Sequence, residues 1–221
     1  MAKRTKDIFE PKSAQVIRVL LTRPNLRWRI ATLAKEAGVS LGWTHAVVST
    51  LQEQNYVARD ETYHVKVVDP LRLLKRWAAY HSFLTENRFE TFHTFQQEID
   101  NFLNQLKKVE GQYALTGLAG AWLVAPYVRP VSADIYVASG KETSNIVRTL
   151  ELRPVERGGD VRLVSPNDSG VFYAARSIDG IRVVSNAQLY VDLVNYPARG
   201  EEASSKILSS IEEEWSKALS A

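Results

Sequence analysis

The segment that most constrains this chain is a helix pattern framed by a tight turn and a strand pattern. Residues 39–57 read VSLGWTHAVVSTLQEQNYV, with Ser40 placed to cap a helix that runs to about Gln54. Gly38 can end the preceding helix, and Asn55 suits the left-handed backbone that ends the next one. Two helices joined by so short a turn and followed by a strand predict a helix-turn-helix with an exposed second helix.

The flanking segments extend this pattern to three helices and a hairpin. A first helix is predicted over residues 14–21, with Ser13 as its cap, and a second over residues 29–37. Residues 56–59 and 63–68 are rich in β-forming side chains and surround the turn sequence Asp-Glu-Thr, which predicts a hairpin. Helix, helix, helix and hairpin form the order of a winged helix-turn-helix.

The remainder of the chain alternates helix and strand patterns. Pro70 begins a helix that joins the two halves. A helix over residues 94–109 has an apolar stripe that starts at Phe95 and is predicted to lie in the core. Strands are predicted at 88–92, 113–116, 133–138, 161–164, 171–176 and 181–185, and further helices at 118–125, 142–150, 188–195 and 201–219. We therefore predict an α+β fold, with a winged helix-turn-helix domain at 1–80 and a mixed α/β domain at 81–221 whose sheet has four to six strands.

Charge is divided unevenly between these halves. Residues 1–80 contain 14 Lys and Arg and 7 Asp and Glu, a net of +7, whereas residues 81–221 contain 14 and 18, a net of −4. A basic half that coincides with the helix-turn-helix pattern favours binding to double-stranded DNA, because neutralised phosphates release counterions. The absence of cysteine excludes disulfides and thiolate zinc sites, and no apolar run is long enough to span a membrane. We expect a cytoplasmic protein.

The exposed face of the predicted recognition helix has few side chains that make bidentate base contacts. The positive charge surrounds the helix instead, including Lys3, Arg4, Lys6 and Lys35, which predicts strong backbone contact and modest direct readout. Trp43 either packs on the sugar-phosphate backbone or covers the domain core. Arg59 and Lys66, on the wing, are predicted to contact flanking phosphates. The predicted DNA contacts are Arg27, Arg29, Ser40, Leu41, Gly42, Trp43, His45, Ser49, Arg59 and Lys66.

A second pattern resembles the nucleotidyltransferase signature of a strand, a glycine turn, a helix and a strand that carries two carboxylates. The strand that ends at Thr116 enters Gly117, and Asp134 lies on the later strand, but Tyr136 stands where the second carboxylate is expected. One carboxylate and a tyrosine do not form a two-metal site. The pattern therefore favours the fold and argues against the activity, and Asp134 is interpreted as a surface or capping carboxylate.

The helix over residues 188–195 has a polar edge formed by Gln188 and Asp192, four residues apart. The favoured interpretation is a solvated edge of a helix packed on the sheet. The alternative is a polar site that these residues share with Thr116 and Asp134. We predict no catalytic residues, no metal site and no cofactor, because no phosphate-loop motif or metal-ligand spacing occurs.

Three motifs together resemble the AbiEi-type antitoxins of type IV toxin–antitoxin systems. They are the winged-helix pattern at the N-terminus, the sequence YALTGLAGAW at 113–122 followed by ADIYV at 133–137, and VSNAQLYVDL at 184–193 followed by RGEEA at 199–203. The resemblance implies an N-terminal domain that binds and represses its own promoter. It also implies a C-terminal domain that counters a nucleotidyltransferase-like toxin without requiring a stable complex. A homodimer is a further expectation.

Two other classes of function stay open. One is an active nucleotidyltransferase or RNA-modifying enzyme whose winged helix binds RNA, against which the missing second carboxylate counts. The other is a protein-docking module, since winged helices also serve in protein interactions without touching DNA. We favour a DNA-binding regulator that is not an enzyme, because the basic charge and the exposed helix occur in the same segment.

Overall fold

The computed structural model describes residues 8–127 and 129–220, with side chains to residue 217, so Lys3, Arg4 and Lys6 lie outside the described residues. The N-terminal half has the predicted order of three helices and a hairpin. The two hairpin strands pair antiparallel, and Trp28 forms an isolated bridge to Val65 that adds a third backbone segment. The elements are α1 (Pro11–Thr22), α2 (Ile30–Ala37), α3 (Leu41–Glu53), β1 (Val57–Arg59) and β2 (Val65–Val67).

Local chemistry sets most of these boundaries. Gly38 ends α2 in the left-handed conformation, Ser40 Oγ accepts from the Trp43 backbone N–H at the start of α3, and Asn55 has a φ of 59° just after α3. These three predictions are confirmed. The prediction that Ser13 caps the first helix is wrong, because α1 already begins at Pro11. A proline is favoured at this first helical position, where no backbone N–H is needed.

The helix α4 (Pro70–Tyr80) leaves the hairpin toward the second half of the chain. Asp69 caps it by accepting from the Arg72 backbone N–H, and Pro70 occupies its first turn. Its buried face, which includes Leu74 and Trp77, packs against a helix of the C-terminal half. The predicted connecting helix is therefore present, and it belongs to the core rather than to an exposed linker.

The C-terminal half is built on a mixed sheet that has seven strands within the described residues, in the order β6-β3-β7-β5-β4-β9-β8. The central pair β5–β7 is parallel, and β4–β5 and β3–β7 are antiparallel. The strands are β3 (Arg88–His93), β4 (Tyr113–Thr116), β5 (Ala133–Val137), β6 (Arg153–Pro154), β7 (Val161–Ser165), β8 (Arg176–Ile178) and β9 (Ile181–Val183). The helices are α5 (Phe83–Glu86), α6 (Ile99–Leu106), α7 (Gly117–Val124), α8 (Gly140–Thr149), α9 (Asn186–Val194) and α10 (Gly200–Ser220).

Alternate residues of the central strands enter two different cores. On β5, Ile135 and Val137 pack with α6 and α8, whereas Tyr136 packs with α9 and with the N-terminal half. The core that contains Tyr136 also includes Leu20 of α1 and Leu189 of α9. Hydrophobic packing therefore continues across residue 80, where the sequence predicts a domain boundary, and the division into two folding units stays a prediction.

Two predicted elements are wrong. The helix predicted over 94–109 is only α6, because the Thr94 backbone N–H donates to Asp160 and its hydroxyl accepts from the Gln96 N–H, which holds this segment outside the helix. Phe95 is consequently exposed instead of buried. The strand predicted over 171–176 begins instead as a 3₁₀ turn, Ser169–Phe172, which Asp168 caps. The sheet also has one strand more than the predicted maximum of six, since the short edge strand β6 has almost no sequence signal.

Among the described residues, no helix is both long enough and apolar enough to cross a lipid bilayer.

Candidate functional site

The helix α3 has one buried face and one exposed face. Thr44, Val48 and Leu51 point into the core, as predicted. The side chains of Leu41 and His45 are exposed on the other face, and a side chain added at Gly42 would meet nothing within 4 Å. A partner can therefore approach the backbone closely at the first turn of α3.

Three polar side chains are linked on this exposed face. Ser49 Oγ lies 3.4 Å from His45 Nδ1, and Arg59 Nη2 of β1 lies 3.5 Å from His45 Nε2. Because a guanidinium only donates, Nε2 is the acceptor in the contact with Arg59, which leaves Nδ1 to donate to Ser49. The first strand of the hairpin is thus joined by side-chain contacts to the middle of α3.

Trp43 lies at the edge of the core instead of pointing away from it. Its indole Nε1 donates to Ser13 Oγ at 3.3 Å, and the Lys12 ammonium lies 4.6 Å from the ring centroid. The side chain is half-buried and packs against the N-terminal core. Of the two roles considered for Trp43, its contacts match the covering of the core.

The turn of the hairpin is held by a polar cluster. Asp60 accepts from the backbone N–H groups of Thr62 and His64 and from the Thr62 hydroxyl, and hydrogen bonding by Thr62 lowers the pKa of its carboxyl. Arg27 lies 3.4 Å from the same carboxylate, and the Arg29 Nε donates to His64. These contacts place both arginines beside the hairpin turn, with the Arg27 side chain two-thirds exposed at 67%.

A second polar site is buried where α9 meets the sheet and α4. Asp192 Oδ2 accepts from the Thr116 hydroxyl at 2.6 Å. Its Oδ1 accepts from Gln188 Nε2 at 2.7 Å, from His81 Nε2 at 2.8 Å and from Tyr136 OH at 3.2 Å. Asp192 and Gln188 are both fully buried, so the interpretation of these residues as a solvated edge is wrong. These hydrogen bonds replace the hydration that the carboxylate loses on burial.

This buried network reaches the N-terminal half through Arg18 of α1. Arg18 Nε donates to Gln188 Oε1 at 2.8 Å, and its two terminal nitrogens bind Asp168 at 3.1 and 3.2 Å. The Arg18 side chain is only 2% exposed and lies 5.2 Å from the centroid of the Trp77 ring. Arg18 therefore connects α1, the 3₁₀ turn and α9 through one guanidinium.

His81, just after α4, is the ionisable link of the network. Burial opposes its protonation, but hydrogen bonds to Asp192 and Glu86 outweigh that cost and raise the pKa of His81 to about 9. Glu86 Oε2 lies 3.1 Å from His81 Nδ1, while Glu86 Oε1 accepts from the Ser82 backbone N–H. Protonated His81 thus donates to two carboxylates from opposite sides of its ring.

Asp134 is buried in a neighbouring ion pair, so its interpretation as a surface or capping carboxylate is wrong. Arg162 of β7 donates to both carboxylate oxygens, at 2.6 and 2.9 Å, and Tyr196 OH donates to Oδ2 at 2.6 Å. Gly117, at a φ of 60°, lies so close that an added Cβ would stand 2.6 Å from Asp134 Oδ2. Because Thr116 and Asp134 are register partners on β4 and β5, the two buried clusters lie side by side.

The predicted polar site is therefore assembled in part. Thr116, Gln188 and Asp192 share hydrogen bonds, whereas Asp134 belongs to the ion pair with Arg162. The sequence interpretation missed the partners supplied by distant segments: Arg18, His81, Asp168, Arg162 and Tyr196. Arg18 had a usable signal, since it interrupts an otherwise apolar run in α1. Within the described part of the chain, no cluster of three or more His, Asp or Glu side chains is arranged to hold a metal ion.

Comparison with known proteins identifies the class of protein. The model of a family described as "Transcriptional regulator, AbiEi antitoxin, Type IV TA system" matches residues 66–213. The match begins within β2 and ends in α10, so α1, α2 and α3 lie outside it. No curated protein and no solved structure matches the chain. Because the matched segment spans more than half of the sequence, this chain belongs to the AbiEi antitoxin family of transcriptional regulators in type IV toxin–antitoxin systems.

Proposed function

We propose that this antitoxin represses its own promoter by binding double-stranded DNA through a winged helix-turn-helix formed by α1 to β2. The observation that carries the proposal is the face of α3 that presents Leu41, Gly42, His45 and Ser49 to solvent beside the cationic side chains of the hairpin. A helix of this kind docks in the major groove with its N-terminal turns toward the bases.

The charge distribution supports this assignment. The excess of seven positive charges in residues 1–80 contrasts with the net of −4 in the rest of the chain. Arg29 and Lys66 lie on the exposed surface of the hairpin region, and Lys35 lies in the last turn of α2. Such groups neutralise phosphates on both sides of a docked helix, which supplies affinity that does not depend on base sequence.

The C-terminal half would act against the toxin rather than on DNA. Its strand, glycine turn, helix and strand, formed by β4, Gly117, α7 and β5, follow the order of a nucleotidyltransferase fold. The contacts of Asp134 do not favour catalysis, since the carboxylate is bound by Arg162 and Tyr196 while Tyr136 takes the place of a second acid. We propose that this half counters a nucleotidyltransferase-like toxin without forming a stable complex, and that the protein binds DNA as a homodimer.

Binding of the protein to its own promoter at several salt concentrations tests the proposal. We expect log K to fall linearly with log salt, with a slope near −0.9 for each phosphate contacted. Lys66→Gln should weaken binding and make the slope less negative by about that amount. Lys141 is an exposed lysine on α8, so Lys141→Gln is the matched control and should change neither the affinity nor the salt slope. An affinity that does not respond to salt, or no binding to the promoter, would overturn the assignment.

Repression is tested separately with a reporter driven by the same promoter. The wild-type protein should lower reporter expression, and Lys66→Gln should relieve that repression in proportion to its loss of DNA affinity. Repression that persists in variants unable to bind the promoter would contradict autorepression through α3.

A further inference from the structure

We infer that Arg59 reads a guanine in the major groove, and that His45 and Ser49 position it. This inference rests on the proposed DNA binding and changes the role that the sequence predicts for Arg59, which was a contact to a flanking phosphate. The inference assigns base specificity to a hairpin residue, because the exposed N-terminal residues of the recognition helix include no arginine, asparagine or glutamine.

The hairpin places its two cations on opposite faces. Arg59 is the register partner of Val65, and the buried Val57 and Val67 form the other end of the same ladder. Because side chains alternate along a strand, Arg59 shares the face of Val57, which packs toward α3. Lys66 pairs with Ala58 on the outer face and is exposed. Lys66 is thus directed to solvent, while Arg59 is directed toward the recognition helix.

The contacts of Arg59 hold its guanidinium against α3. Its Nη2 lies 3.5 Å from His45 Nε2, and His45 is in turn 3.4 Å from Ser49 Oγ. Within the described residues no carboxylate pairs with Arg59, since the nearby Asp60 interacts with Arg27 instead. Arg59 Nε is buried and has no hydrogen-bond partner among the described residues. The buried Nε cannot reach a partner outside the chain, so the donors left for a ligand beside the exposed face of the helix are those of Nη1 and the second N–H of Nη2.

These donors match one base in particular. Guanine presents two acceptors, O6 and N7, in the major groove, and the planar fork of arginine binds both at once. A lysine ammonium at the same position would supply charge without the two parallel donors. His45 lies in the N-terminal half of α3, the part of a recognition helix that faces base edges. Because Arg59 lies next to His45, its guanidinium is brought to the same place. Gly42 leaves open space one turn earlier, so the helix can approach the groove closely.

Selection of bound duplexes from a randomised pool tests the inference. The wild-type pool should contain a strongly preferred guanine at one position of the site. Arg59→Gln should remove that preference and weaken binding to the preferred duplex roughly 5- to 150-fold, the discrimination typical of a bidentate pair. Binding to duplexes that lack the guanine should change little. Arg59→Lys keeps the charge but replaces the planar fork by a compact ammonium, so it should reduce the same preference without removing it.

Two further variants separate reading from support. Lys66→Gln is the matched control, and it should weaken all duplexes equally and leave the preferred sequence unchanged. His45→Ala should reduce the guanine preference without abolishing DNA binding, and His45→Gln, which restores an acceptor beside Arg59, should recover part of it. Recovery of this kind is expected for a positioning residue and not for a residue that only maintains the fold.

The contrary outcomes are distinct. If Arg59→Gln weakens every duplex equally and the selected sequence does not change, Arg59 is a phosphate contact and the inference fails, while the proposed function stands. If the wild-type protein binds no duplex at any salt concentration, the proposed function fails as well. Thermal unfolding of each variant accompanies the selection, and Arg59→Lys carries the test if Arg59→Gln does not fold.

Discussion

At the scale of single residues, the buried polar groups of this protein show how strongly surroundings determine the state of a side chain. The sequence interpretation places Asp192 on a solvated edge and Asp134 at a surface or capping position, and it makes no prediction for Arg18, yet all three side chains are nearly inaccessible. Each has a partner that compensates for its lost hydration, which is the condition under which a buried charge is tolerated. These residues are therefore sensitive to changes in their partners.

Stability should depend on pH through His81. Its pKa is about 9 in the folded protein and 6.5 in the absence of its partners, so folding favours the protonated form. The resulting stabilisation, about 3 kcal/mol, is fully present below pH 6.5 and is lost as the pH rises through 9. We expect the melting temperature to fall between pH 7 and pH 10. His81→Gln should flatten this dependence, and a wild-type profile that stays level over the same range would contradict the assigned pairing.

The glycine beside Asp134 should not tolerate a side chain. Gly117→Ala places a Cβ 2.6 Å from Asp134 Oδ2 at a left-handed φ of 60°, so it combines backbone strain with a clash against a buried ion pair. We expect Gly117→Ala to lower the free energy of unfolding by about 1–3 kcal/mol from the backbone strain alone. Urea unfolding measures this loss. Gly140→Ala is the matched control, because open space surrounds Gly140 at the start of α8. Equal stability of both variants would argue against this geometry.

At the scale of elements, α1 serves both halves of the chain. Its apolar residues pack under α2 and α3, and Arg18 extends from the same helix to Asp168 and Gln188. The carbonyl of Leu21, near its C-terminus, also accepts from the indole of Trp215 on α10. A helix that belongs by sequence to the N-terminal half is therefore also part of the support of the C-terminal half.

Removing Arg18 should destabilise both halves together. Arg18→Ala leaves Asp168 without its bidentate partner and Gln188 without its donor, and breaking a buried pair in this way costs about 3–5 kcal/mol. We expect circular dichroism, which reports on the secondary structure of the whole chain, and tryptophan fluorescence, to which all five tryptophans contribute, to show the same shifted transition. Arg23→Ala, at the exposed end of the same helix, is the control and should have little effect. Separate transitions for the two probes would contradict the shared role of α1.

At the scale of the whole molecule, one hydrophobic core extends from the N-terminal helices to α9 and α10. The cluster joins Leu74 and Trp77 of α4 with Leu193 and Ile207 on the C-terminal side. Shared packing of this kind fixes the orientation of the N-terminal half relative to the half that the family model matches. A change in the core of one half can therefore disturb the packing of the other.

A fragment that ends at residue 80 should be less stable than the same residues in the full chain. Cleavage there exposes the apolar face of α4 and removes the partners of Arg18, so burial worth about 25 cal/mol for each Å² is lost. We expect the melting temperature of fragment 1–80 to lie well below that of the intact protein, and its promoter affinity to fall with it. Equal melting temperatures would show that residues 1–80 fold as an independent domain.

The sequence by itself determined the features that depend on neighbouring residues. Gly38, Ser40 and Asn55 mark the ends of α2 and α3 because capping and left-handed turns involve contacts over only a few residues. The alternation of β-forming residues in the hairpin and the apolar periodicity of α4 are equally local. The helix-turn-helix pattern, the hairpin and the α+β class follow from such signals.

Only the tertiary structure decided what the polar residues do. Asp192 accepts from His81 and Thr116, which are 111 and 76 residues away in the chain, and Arg59 meets His45 across the junction of hairpin and helix. Hydrogen bonds at such separations depend on how elements pack, and a single sequence carries no record of those distances. The same reason explains why the helix predicted from residue 94 begins only at Ile99, since Thr94 is held outside it by a contact with Asp160, 66 residues away.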